Sequence, residues 1–151
     1  VQHTDSCREV FGGGGFTPDE QVSFESYSRF VRAIERERLF VEFVNKLMDG
    51  EIRSSLQFNP EVTLGNREKL IQSLAITDEV LGLFKTFLQG KEVDVTDQSF
   101  EDSRQVIENK LQQGLFLNLF GDEESFKVAL EVDPQVLRAI ELLPEATSPD
   151  P

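Results

Sequence analysis

Histidine is almost missing from this chain. His3 is the only one in 151 residues, and it sits in a glycine-rich N-terminal stretch. That argues against a haem on a helical proximal histidine, a zinc site, a His-dependent triad and a di-iron bundle built on Glu-x-x-His. Cys7 is the only cysteine. It rules out an internal disulfide and suits a reducing compartment, so the cytoplasm is the expected location. Tryptophan is absent and Tyr27 is the only tyrosine, which argues against aromatic platforms for single-stranded nucleic acid. No apolar run approaches the ~18 residues that a membrane span needs. No signal peptide is read, and no EF-hand loop with spaced carboxylates is present.

What the chain does have is acid and phenylalanine. Its net charge is −13, with 28 acidic residues, 13 phenylalanines and 38% hydrophobic residues. The length fits one domain with a sizeable core. The charge should keep it soluble and repel nucleic acid and anionic membranes, so neither direct nucleic-acid binding nor a membrane span is expected. Carboxylate pairs capable of acid–base work are easy to find among so many acids, and mean little. The acid is unevenly placed: residues 114–151 carry −6 of the total.

Residues 1–16 read as a flexible arm. Gly12 to Gly15 is a four-glycine run that no packed element would choose. It lacks the Lys-Ser/Thr of a phosphate-binding loop, and no convincing strand precedes it. Cys7 and His3 share this arm. A thiol–imidazole pair can be nucleophilic, but a mobile arm does not hold the geometry.

The stretch from Thr17 to Gly50 organises the rest. Thr17, Pro18 and Glu20 form a helix-start signature, and Gly50 is a stop. A straight helix between them would be roughly 48 Å long, against a diameter of about 40 Å for a compact domain of this size. At 100° per residue, Tyr27, Phe30, Val31 and Ile34 form one apolar stripe. Phe40, Val41, Phe43, Val44, Leu47 and Met48 form another, about 130° out of phase. The stripes meet at Glu35-Arg36-Glu37-Arg38, a turn with no apolar residue. Either the helix breaks or bends there within one core, or its N-terminal half packs on another chain.

Beyond Gly50 the pattern is shorter and punctuated. Asn66 and Thr77 are expected to cap two helices, the first through Leu70 and Leu74, the second through Val80, Phe84 and Leu88 to Gly90. Lys91 to Gln98 reads as a loop, and Ser99 as the start of a helix with a candidate end at Gly114. Leu115 to Phe120 is apolar except for Asn118. It is either an exposed docking segment or, the favoured reading, a buried helical turn. Asp122 is expected to cap a helix through Phe126, Ala129 and Leu130. Asp133-Pro134 opens another with Val136, Leu137, Ile140 and Leu143 on its stripe and Pro144 at its end. The motifs of helical repeats are absent.

The expected fold is all-α, a compact helical bundle of about five to seven helices with a long first helix, broken or bent midway. Residues 17–144 form the single helical domain, and 145–151 a disordered tail. No residue is assigned a catalytic, cofactor or metal role. The function expected first is a non-catalytic interaction module: an adaptor, a regulatory subunit or a dedicated chaperone, oligomeric or bound to a protein partner. Its contact would be Tyr27, Phe30, Val31 and Ile34, with Arg29, Arg32 and Arg36 within about 60° of one another on the opposite side of the helix. Two alternatives stand beside it. One is an enzyme or small-ligand carrier with a pocket between helices. The other is an acidic decoy of nucleic acid, using the C-terminal quarter.

Overall fold

The computed structural model of the chain describes residues 2–3, 9–10, 21–22, 27–56 and 67–146. Among them are one pair of very short strands and eight α-helices. Strands β1 (Gln2–His3) and β2 (Glu9–Val10) pair antiparallel, with Gln2 opposite Val10. The N-terminal stretch read as a flexible arm therefore includes a two-residue pairing. Gly12 to Gly15 lies outside the described residues.

The long first helix is two helices, α1 (Arg29–Arg36) and α2 (Leu39–Met48). The chain turns where the two apolar stripes fall out of phase. Arg38 takes the left-handed conformation at φ 56°, the one described non-glycine residue with positive φ. Its N–H bonds the Glu35 carbonyl at 3.0 Å. Rotating the chain here lets both stripes face one core. α1 buries Phe30, Val31 and Ile34, and α2 buries Leu39, Phe40, Phe43, Val44 and Leu47.

The start differs from expectation. The Ser28 hydroxyl caps α1 by accepting from the Val31 N–H at 3.2 Å. Gln21, Val22 and Tyr27 are not helical, so no helix runs unbroken from Thr17, which itself lies outside the described residues. Ser28 also has the hydroxyl of Ser103 at 3.2 Å, tying the beginning of α1 to the beginning of α6.

Five of the other helices build the bundle: α3 (Arg67–Ser73), α4 (Asp78–Gln89), α5 (Asp97–Asp102), α6 (Arg104–Phe120) and α7 (Asp122–Leu130). Thr77 caps α4 as expected, accepting from Val80 N–H at 3.4 Å. For α5 the cap is Thr96, not Ser99. Ser99 is its partner in a reciprocal capping box, each side chain bonding the other's backbone.

α6 is the axis of the fold. One side carries Ile107, Leu111 and Leu115 into the larger cluster with α1, α2, α4 and Phe100 of α5. The next residue, Phe116, points about 100° away into a second cluster with Leu70 of α3, Leu74 just after it and Val128 of α7. Burying side chains of this size stabilises by about 1.5–3 kcal/mol each, so these two clusters dominate the fold. The larger is centred on rings: Phe84 stacks on Phe40 at 5.3 Å and meets Phe43 edge-on at 4.9 Å.

Gly114, read as a helix end, lies inside α6 instead. A Cβ there would come within 3.0 Å of Val44 Cγ2. Its missing side chain lets α2 and α6 cross closely. Leu115–Phe120 is helical, as read, but only Leu115 and Phe116 are fully buried, and Leu117 is exposed. Asn118 donates to the Gly114 carbonyl at 2.9 Å. The turn into α7 is made by Gly121 at φ 86°, a conformation that glycine adopts without strain.

α8 (Pro134–Ala146) follows a short turn from α7. Asp133 Oδ1 accepts from the N–H groups of Gln135 and Val136 at 2.8 and 3.1 Å, which fixes its start. The helix continues through Pro144, where it was expected to stop. A proline near a helix end removes only one ladder bond, so the last residues remain helical.

Candidate functional site

The residues expected to meet a partner are not one surface. Phe30, Val31 and Ile34 are 8%, 1% and 0% exposed, inside the chain's own larger cluster. Phe30 faces the Phe100 ring at 6.5 Å. Their stripe is covered by this chain's own helices, which corrects the expectation that it faces another. Tyr27, Arg29, Arg32 and Arg36 remain exposed, and Arg36 pairs with Glu37 at 3.0 Å.

Tyr27 belongs to a small clasp between α6 and the lead-in to α1. The Lys110 ammonium lies 4.9 Å from the centre of its ring and 2.8 Å from the Glu35 carboxylate. Burial pulls the Lys110 pKa down, but Glu35 and Tyr27 outweigh it and hold it above its ordinary value near 10.5. The arrangement favours charged lysine. It links α6 to Glu35 of α1 and to Tyr27 ahead of that helix.

Besides Tyr27, Val41 of α2, which the sequence placed on the buried stripe, and Leu117 of α6 are singly exposed, but most of the exposed apolar side chains lie elsewhere. Phe126, Val132, Leu137, Ile140 and Leu143 are all exposed, and all fall within α7, α8 and the turn between them. Phe126 is 63% exposed, Leu137 46% and Ile140 57%. Among the described residues, no α8 side chain belongs to either buried cluster. Positions 137 and 140 are three apart and share a helix face, with 143 the next step along it. Phe126 and Ala129 border an open depression with Gln113, Ser125, Asp122 and Glu123.

Charge surrounds this region. Asp122, Glu123 and Glu124 occupy the first turn of α7, where the helix dipole favours them. Lys127 reaches back to Glu123 and Glu124 at 2.8 and 2.6 Å. The hydrogen bond to Glu123, then that to Glu124, raises the Lys127 pKa. The same contact lowers that of Glu123. On α8, Arg138 pairs with Glu141 at 3.1 Å.

No family model, curated protein or solved structure matches this chain. Among the described residues no group of three or more His, Cys, Asp or Glu side chains is placed to hold a metal ion. No buried side-chain polar atom among them lacks a hydrogen-bond partner. No helix among them is long and apolar enough to cross a membrane.

Sequence reasoning placed Leu137, Ile140 and Leu143 on one stripe and Phe126 along α7, but did not single them out. Periodicity locates an apolar face without showing what covers it.

Proposed function

We propose that this chain is a non-catalytic helical protein–protein interaction module whose docking element is α8. The observation that carries the reading is the exposure of Leu137 and Ile140 on one face of a helix that contributes to neither core cluster. Clustered exposed apolar side chains, bordered by polar ones, mark interaction surfaces. Anchors at helical spacing suit the mode in which an amphipathic helix lies against a partner's groove or helix. Asp133 caps the helix, so its stripe is presented in an ordered form. The adaptor, regulatory-subunit and dedicated-chaperone roles all fit such an element.

The test is the pair of substitutions Leu137→Gln and Ile140→Gln. Glutamine keeps helix propensity while removing the apolar face. Association, measured by affinity capture and analytical ultracentrifugation, should be lost. The circular dichroism spectrum and Tm should change little, because neither side chain is in the core. The reading fails if the double variant keeps every association. It fails equally if the wild-type chain stays monomeric and captures nothing.

A further inference from the structure

The chemistry around α8 narrows the partner. Residues 122–141 contain six carboxylates and two cations, a net −4. Both cations are engaged within the segment, Lys127 with Glu123 and Glu124 and Arg138 with Glu141. Asp122, Glu123, Glu131 and Glu141 are exposed. The same segment holds exposed Phe126, Val132, Leu137 and Ile140. A ligand that covers it must supply an apolar face and positive charge together. A second copy of the chain meets it badly, since each copy brings the same −4 here and −13 overall, and like charges brought together cost association.

We infer, on the basis of the docking reading above, that α8 and the end of α7 receive a basic amphipathic helix of a protein partner. Its apolar face covers Leu137 and Ile140, and its lysines or arginines meet the carboxylates of the 122–141 segment. Such binding is tightened by charge and weakened by salt, while the apolar anchors set where it occurs.

Three synthetic peptides of about 18 residues test this with the full chain. One is an amphipathic Leu/Lys helix, one has the same composition scrambled to destroy the apolar face, and one is an amphipathic Leu/Glu helix. The expected result is 1:1 binding of the Leu/Lys helix, with NMR shifts concentrated on α8. Affinity should fall about tenfold or more in the Leu137→Gln/Ile140→Gln variant, since central apolar anchors carry most of such an interface. It should also fall on raising salt from about 50 to about 300 mM. Scrambled and Leu/Glu peptides should bind at least about tenfold more weakly. Equal binding of the scrambled peptide overturns the inference, because charge alone then suffices. Preferential binding of the Leu/Glu helix at α8, or self-association through α8, overturns the basic-partner assignment while leaving α8 a docking element. Absence of any shift on α8 with all three peptides, in a chain that neither self-associates nor captures a partner, overturns both.

Discussion

Gly114 has no side chain in a place where Val44 already fills the space. A Cβ would meet Val44 Cγ2 at 3.0 Å, so Gly114→Ala should cost about 1–3 kcal/mol despite the better helix propensity of alanine. Denaturant unfolding measures this directly. Adding Val44→Ala should recover part of the loss if the clash is the cause, and none if it is not. The sequence shows a glycine here, and a glycine near apolar residues reads as a helix end. Only the neighbour on α2 reveals that it is a close approach. Lys110 is the other residue whose role depends on distant partners. Lys110→Met should cost about 1 kcal/mol through loss of the Glu35 pair and the contact with Tyr27. The folded-state pKa of Lys110 is raised. Its stabilisation is therefore complete below the unfolded value near 10.5 and is lost as pH climbs through the higher folded value. Urea titrations at rising alkaline pH should show wild type losing this increment, while Lys110→Met has none to lose. An identical alkaline decline in both proteins would show that the clasp contributes nothing.

At the scale of the element, the break between α1 and α2 rests on one residue. Arg38 sits at φ 56°, a conformation that costs L-residues roughly 1–2 kcal/mol and glycine little. Arg38→Gly should hold or raise Tm, whereas Arg38→Val, β-branched, should lower stability by more than about 1 kcal/mol. Equal stabilities for the two variants would mean that the left-handed turn is not the strained point. The break itself was legible. Two stripes about 130° apart cannot share a flat surface, and the turn fell within the apolar-free Glu35–Arg38. What covers the first stripe was not legible, because Phe100, Lys110 and Ser103 lie more than sixty residues away in sequence. The Thr77 cap stands as expected, whereas Asp122, expected to cap α7, is its first helical residue after Gly121. Thr96 and Ser99 bond each other's backbone, so both look like starts. Ser28 begins α1, while the Thr17-Pro18 signature lies outside the described residues.

For the whole molecule, the all-α bundle was written in the spacing of apolar residues. The clusters put α6 at its centre, with a different cluster on each side. The first long stretch, the most conspicuous in sequence, supplies one wall. Burial divides the expected site: Phe30, Val31 and Ile34 are buried, while Tyr27, Arg29, Arg32 and Arg36 are exposed. The stripe suspected of facing a partner is inside, and the last described helix, whose stripe passed for ordinary packing, is outside.

That position of α8 sets how the molecule should come apart. Among the described residues no α8 side chain belongs to a buried cluster, so α8 should open at lower cost than the bundle. Its amide protons should exchange with deuterium orders of magnitude faster than those of Phe43, Phe84 or Leu111, whose protection reports the full unfolding of the bundle. Equal protection in α8 and α6 would mean that the two melt as one cooperative unit. If α8 does open first, anything that grips it stops the opening. The chain would then reveal its bound state as a slowing of exchange confined to its last helix.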